Sequence, residues 1–305
     1  MRTYHFFQID VFTDRPLTGN ALAVFPDAMG LAPSEMQALA REMNLSETTF
    51  VFPSDCATRL VRFFTPAAEI PLAGHPTIGT WWILAELGLL EPLRGSTTEV
   101  TQETGCGVLP VEIRMASGKP ETVVMTQALP EFGPEVDDVV GLARVLGGDE
   151  SLIPPGLLPQ VVSTALPQLM IPVRSLDALS RLPSGGQGGE LAAFLRAFGT
   201  DCAMCYTRET TSPEATVHCR MFAPGLGVPE DPATGSAAGA LGCYLVRHGV
   251  LGTEGGTATL TVEQGIEIGR PSRIEVEVES DAGGSITRVR VGGRGVTVIE
   301  GEVRL

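Results

Sequence analysis

Nothing in this chain of 305 residues stays apolar long enough to cross a bilayer, which takes about 20 consecutive residues as a helix. The opening stretch, Met1 to Phe12, is interrupted by Arg2 and Asp10 and has no sustained apolar core, so no secretory leader is expected. Positive charge is scarce: 21 Lys and Arg stand against 36 Asp and Glu, a formal net charge of -15, and Lys/Arg runs are missing. Such a surface repels polyanions and anionic lipid, so neither nucleic acid nor membrane is expected as a partner. Any anionic small molecule must then be held by a local device. The six cysteines are scattered, which reads as reduced thiols of a cytoplasmic protein and not as a disulfide framework. Dinucleotide fingerprint and P-loop are both missing. Gly235-Ser236-Ala237-Ala238-Gly239 is not the G-x-S-x-G of a hydrolase elbow.

What is present describes a folded chain. Apolar residues make up 43% and charged residues 19%, in a length ample for two domains. Alternation predicts strands over Tyr4–Phe12 and Ala21–Phe25, with a turn at Gly19-Asn20. Pro33 and Ser34 open a helix carrying Met36, Leu39, Ala40 and Met43, and Asn44 closes it. Further strands read as Phe50–Phe52, Arg59–Phe64 and within Val100–Met115. Between the last two lies Pro76–Leu87, with one charge, Glu86, and two tryptophans. A helix apolar on nearly every side belongs inside a wrapped sheet.

The second half repeats the first. Arg220-Met221-Phe222-Ala223-Pro224 with Pro229 answers Arg62-Phe63-Phe64-Thr65-Pro66 with Pro71, at a constant offset of 158 residues. Thr261-Val262-Glu263-Gln264-Gly265 answers Thr101-Gln102-Glu103-Thr104-Gly105 at an offset of 160. A glycine-containing loop and an apolar helix lie between the two matches in each half. The expected fold class is α/β (α+β), two pseudo-symmetric domains at 1–125 and 126–305. Each is a mostly antiparallel sheet or barrel wrapped around a buried helix, near 76–88 and 233–248, and the final strand is free to return to the first domain. The seam falls between Ala116 and Pro134, and Ser184–Gly189 reads as a surface loop.

The two loops before the buried helices, Pro71–Gly79 and Pro229–Gly239, read as two walls of one active site. The first turn of a helix presents unpaired N–H groups and partial positive charge, a ready seat for a carboxylate. Gly235 permits close approach of a ligand to the backbone. Taken singly, each residue has an ordinary alternative: Ser236 and Asp231 as capping groups, His75 as a structural histidine, Glu47 as a solvated loop residue. Cys202, Cys205 and His218 with Cys219 imitate a zinc site, but Ala203 and Met204 make that run strand-like, and buried cysteine is the better reading.

Phe7-Gln8-Ile9-Asp10-Val11-Phe12 with Gly19-Asn20, Asn44-Leu45-Ser46-Glu47-Thr48, Gly74-His75-Pro76-Thr77 and Asp231-Pro232-Ala233-Thr234-Gly235-Ser236-Ala237 resemble the PhzF-like (phenazine biosynthesis-like) proteins, across essentially the whole chain. The resemblance implies the diaminopimelate-epimerase-like fold and a homodimer. It implies isomerisation of a small, cyclic, carboxylate-bearing substrate without metal or organic cofactor. By motif, Glu47 is the general acid/base, His75 and Asp231 its catalytic companions, and Gly74, Gly235, Ser236 and Asn20 the substrate-binding groups. Relatives that racemise amino acids carry a cysteine on each wall, and these loops have none. Ala21 stands where a proline is common, which bears on the substrate more than on the fold. The competing reading is a non-catalytic ligand-binding or interaction protein on the same fold.

Overall fold

The computed structural model describes residues 1–90 and 95–305. The elements in chain order are β1 (Thr3–Val11), β2 (Asn20–Phe25), α1 (Pro33–Met43), β3 (Glu47–Phe52), β4 (Arg59–Phe64), β5 (Glu69–Ile70), α2 (Gly74–Glu86), β6 (Thr97–Thr104), β7 (Gly107–Ala116) and β8 (Lys119–Gln127). They continue as β9 (Glu131–Glu135), α3 (Val139–Leu146), β10 (Gln160–Ser163), β11 (Pro167–Pro172), α4 (Leu176–Ser180), α5 (Gly189–Ala197), β12 (Ala203–Thr207), β13 (Val217–Ala223) and β14 (Val228–Asp231). The last are α6 (Gly235–Arg247), β15 (Thr257–Gln264), β16 (Ser272–Ser280), β17 (Ile286–Gly293) and β18 (Gly295–Arg304). Two compact units result, Met1–Thr126 with Gly292–Leu305, and Gln127–Val291.

Each unit repeats one pattern of strand pairing. In the first, β1–β2 is antiparallel, β2–β3 parallel, β3–β4 and β4–β5 antiparallel, β4–β6 parallel and β6–β7 antiparallel. In the second, β10–β11, β11–β12, β12–β13, β13–β14, β13–β15 and β15–β16 follow the same order of senses. The last strand, β18, lies antiparallel to β1, so the C-terminus is part of the first unit.

A helix fills the inside of each sheet. In α2 every residue from His75 to Ala85 is buried, and in α6 every residue from Gly235 to Leu245 except Ser236. The opposite face of each sheet carries its own apolar layer, and here the units diverge. The first packs Phe25, Phe50 and Phe64 under the single helix α1, through Met36, Leu39 and Ala40. The second packs Ile171, Cys205 and Phe222 under α3, α4 and α5. Helix α1 begins at Pro33, with Glu35 reaching back to the Ala32 N–H, and ends at Asn44 in the left-handed conformation, φ 50°.

The register corrects one detail of the repeat. Phe63 pairs with Ile70, and its counterpart Met221 pairs with Asp231. Gly105 packs on Pro71, and Gly265 packs on Pro232. The two helices start at Gly74 and Gly235, so past the turn the offset is 161 and no longer 158. The longer turn in the second unit, the 3-10 turn Pro224–Leu226 with β14, absorbs the three extra residues. Pro71 therefore matches Pro232 and not Pro229, and His75 matches Ser236.

Candidate active site

The acidic residue of the first unit is placed by its strand. Glu47 is the first residue of β3, not a loop residue, and its register partner on the parallel neighbour β2 is Leu22. Two residues on, the Thr49 hydroxyl meets that of Thr80 on α2 at 2.7 Å. Alternation then puts Glu47 on the same face, toward the helix. Its Oε2 lies 3.4 Å from Nε2 of His75, the second residue of α2. Helix and sheet approach closely because Gly79 has no side chain: a Cβ there would come within 2.7 Å of Leu22 and Val11. Gln102 secures the same helix by accepting the indole N–H of Trp81 at 3.0 Å. Asn20 is buried and opens β2, at the same end of the sheet as Glu47. Gly19 before it, at φ 62°, would drive a Cβ to 2.2 Å from the Val11 carbonyl, so only glycine makes that turn.

Two influences compete at His75. The neighbouring carboxylate favours an imidazolium, while burial favours the neutral ring. Burial prevails and pushes the imidazole pKa down to about 3. The contact with Glu47 is therefore between a neutral imidazole and an acidic side chain, not a closed ion pair.

In the second unit, Asp231 ends β14 and its carboxylate accepts the Thr234 hydroxyl. Gln264 clamps this turn, its amide donating to the Asp231 carbonyl at 2.7 Å and to Thr234 Oγ1 at 3.1 Å. Thr234 is the N-cap of α6, which removes the capping readings of both Asp231 and Ser236. Ser236 is the second helical residue, and its Oγ accepts from Nε2 of Gln168 at 3.0 Å. Gln127 donates to the Gly235 carbonyl at 3.0 Å and accepts from Thr164 at 2.7 Å. The N-caps Ala73 and Thr234 are extended, and among the described residues neither accepts a helical N–H through its side chain. Both first turns thus keep the free N–H groups that suit an anion.

The units differ in what they place beside the helix. Register equates Thr48 with Ala203, since each pairs with the phenylalanine of its Arg-x-Phe sequence, Phe64 or Phe222. Glu47 then corresponds to Cys202, whose thiol burial pushes up to about 12. The second unit has a protonated thiol where the first has its acid. Cys205 is likewise pushed up to about 12 by burial, and His218 is spent between Glu263 and Glu267. Neither thiol is a ready metal ligand, and among the described residues no three acidic, thiol or imidazole groups converge on a metal position.

The bracing amides Gln102, Gln127, Gln168 and Gln264 went unassigned from sequence. Gln102 and Gln264 lay inside the matched segments, so that signal was available. Gln127 and Gln168 lie where the two halves share little sequence.

Paired units, each a sheet wrapped on a buried helix with an open N-terminal turn, make up the epimerase-like fold. The family model described as "Phenazine biosynthesis-like protein" matches residues 9–301. The chain is 38% identical to the trans-2,3-dihydro-3-hydroxyanthranilate isomerase of Pseudomonas chlororaphis, over 99% of this chain and 100% of that protein. The crystal structure of a Bacillus anthracis phenazine biosynthesis protein of the PhzF family superposes with a TM-score of 0.91 at 31% identity, covering 100% of both chains. A hydroxyproline epimerase from Agrobacterium vitis, at 15% identity and a TM-score of 0.66 over 99% of this chain and 92% of that one, shares the fold. The chain belongs to the PhzF family, and it is an isomerase. No helix among the described residues is long and apolar enough to cross a membrane.

Proposed function

We propose that this isomerase moves a proton within a small, cyclic, carboxylate-bearing substrate without a cofactor, and that Glu47 takes and returns the proton. The observation that carries this reading is the pairing of Glu47 with a buried, neutral His75 at 3.4 Å. A neutral imidazole does not lock the carboxylate into an ion pair and offers it a polar neighbour. Glu47 removes a proton from an acidified carbon, becomes the carboxylic acid, and delivers the proton to another carbon of the same molecule. No electrons leave the substrate. His75 and Asp231 serve the substrate's polar groups, while Gly74, Gly235, Ser236 and Asn20 hold it, with the first-turn N–H groups taking its carboxylate.

Trans-2,3-dihydro-3-hydroxyanthranilate is the candidate substrate, because relatives covering the full length carry its name. In D2O the wild type should convert it with deuterium entering the product. Glu47→Gln should lower that rate by about 10²–10⁴-fold, the usual weight of a general acid/base. Undiminished turnover in Glu47→Gln would remove the assigned role. Tight binding without turnover in the wild type would favour the non-catalytic reading.

A further inference from the structure

Gln168 is fully buried, yet its Oε1 meets no hydrogen-bond partner among the described residues. Leaving such an atom unpaired costs about as much as a hydrogen bond is worth, so the amide needs a reason to be there. Its position in the repeat sharpens the question. Leu169 pairs with Ala203 and Ala23 with Thr48, so Gln168 stands where the first unit has Leu22. Leu22 is apolar and packs on α2 without any such loss. A leucine therefore fits this pleat position in the sister unit, and the second unit carries an amide instead.

The amide's other end gives the reason. Nε2 of Gln168 donates to Oγ of Ser236 at 3.0 Å, and that is the contact the hydroxyl makes among the described residues. A hydroxyl that accepts from an amide N–H keeps its own hydrogen for something else. Ser236 sits at the second position of α6, beside the first-turn N–H groups, and is the one residue from Gly235 to Leu245 that is not buried. The backbone around it is itself fixed, through Gln127 on the Gly235 carbonyl and Thr164 on Gln127.

Resting on the reading that this helix start takes the substrate carboxylate, we infer that Gln168 is a positioning residue that turns the Ser236 hydroxyl into an outward donor toward that carboxylate, with its own Oε1 left as an acceptor for a substrate N–H or O–H beside it. The pair would prefer a ligand carrying a carboxylate next to a hydrogen-bond donor, as in a 2-amino carboxylic acid on a ring. In that arrangement Gln168 acts on the ligand mainly through Ser236, and Ser236 cannot favour the anion without it.

Anthranilate and its uncharged counterpart anthranilamide are the probes, titrated into wild type, Gln168→Met, Gln168→Glu, Ser236→Ala and the Gln168→Met/Ser236→Ala double variant, with affinities read by NMR shifts. The wild type should prefer anthranilate by about tenfold or more, the usual effect of a hydrogen bond to a charged group. Gln168→Met and Ser236→Ala should each lose most of that preference, and the double variant should lose no more than Ser236→Ala alone. Gln168→Glu keeps the shape but replaces the donor by an acceptor that captures the hydroxyl, so it should lose the preference as well. A Gln168→Met or Gln168→Glu protein with the wild-type preference would overturn the inference while leaving the functional reading standing. Additive losses in the double variant would do the same. A wild type that binds both probes equally would overturn the functional reading and the inference together. If Gln168→Met fails to fold, Gln168→Glu and Ser236→Ala still decide the matter.

Discussion

The same arginine clamp was built twice, once at the surface and once in the interior. Arg62 and Arg220 each lie over the phenylalanine two residues on, at 5.3 and 5.1 Å from the ring centre. Each guanidinium also grips a glutamate of the next short strand with two hydrogen bonds, Glu69 at 2.7 and 2.7 Å and Glu230 at 2.8 and 2.6 Å. The side chains of Arg62 and Glu69 remain 26% and 43% exposed, those of Arg220 and Glu230 only 3% and 2%. In the second unit the guanidinium also donates to the carbonyls of Leu179 and Leu182, which bind the end of α4 to the turn before α6. The added outer helices turned a surface pair into a buried one. Removing one partner of a buried pair strands a charge, so Arg220→Ala should cost about 3–5 kcal/mol. Arg62→Ala should cost less than about 1 kcal/mol, because water replaces its partner. Urea unfolding of both variants checks this, and equal losses would mean that burial does not set the value of the clamp.

The buried histidines divide along the same line, with opposite signs. His75 is pushed down to about 3 by burial. In the unfolded chain it takes up a proton near pH 6.5, so stability falls as pH drops from about 6.5 toward 3. At His218 burial also lowers the pKa, but hydrogen bonds to Glu267 and Glu263, at 2.9 and 2.7 Å, overturn it and hold the value above the ordinary one. That contribution is complete below the unfolded pKa of about 6.5 and is lost as pH rises through the raised folded value. The free energy of unfolding, followed against pH, should lose less on the acid side in His75→Gln than in wild type. In His218→Gln the decline on the alkaline side of 6.5 should disappear. Glu263 and Glu267 act at the acid end, since against burial Thr211 and His218 hold the Glu263 carboxyl, and His218 the Glu267 carboxyl, below the usual range. A His75→Gln curve that overlays wild type would show that the imidazole is not held neutral by burial.

These contrasts mark what was legible in the sequence. The repeat and the two buried helices showed because an apolar run such as Trp81-Trp82-Ile83-Leu84 has no surface reading, and because the arginine clamp kept its residues. The observed α2 and α6 differ from the expected spans by about one turn or less at either end. The three extra residues before Pro232 were invisible because both halves place a proline at the 158 offset, Pro71 and Pro229, and only strand pairing tells Pro229 from Pro232. Helices α4 and α5 occupy the crossover that α1 occupies in the first half, and α3 has no counterpart there; none of the three lies in a matched segment, so the repeat was silent about them. Glu47 and His75 were each singled out by motif resemblance, but their contact was not foreseen, and the amides that support the second turn likewise act through distant contacts such as Gln168 to Ser236, which carry no local signature.

The narrowest contrast concerns how each central helix fits its sheet. Gly79 of α2 faces Leu22 and Val11, and a Cβ would lie 2.7 Å from both. Both neighbours are fully buried, and Val11 is β-branched and stiff, so overpacking should cost about 1–3 kcal/mol. Alanine's better helix propensity returns about 1 kcal/mol of that. Gly239 of α6 looks worse on distance alone, with a Cβ only 1.9 Å from Gln127 Oε1. That atom, however, is the far end of a half-buried, rotatable arm. Swinging it away sacrifices the hydrogen bonds to Gly235 and Thr164, about 0.5–1.5 kcal/mol each, against the same propensity gain. Gly239→Ala should therefore cost no more than Gly79→Ala, about 0–2 kcal/mol net in each case, despite its much shorter contact. In a Gln127→Ala background the obstruction at Gly239 is gone, and Gly239→Ala should become stabilising by up to about 1 kcal/mol. Thermal unfolding of the four proteins measures this, and a Gly239→Ala penalty that persists without Gln127 would place the constraint in the helix backbone or at Val291, 3.1 Å from the same Cβ.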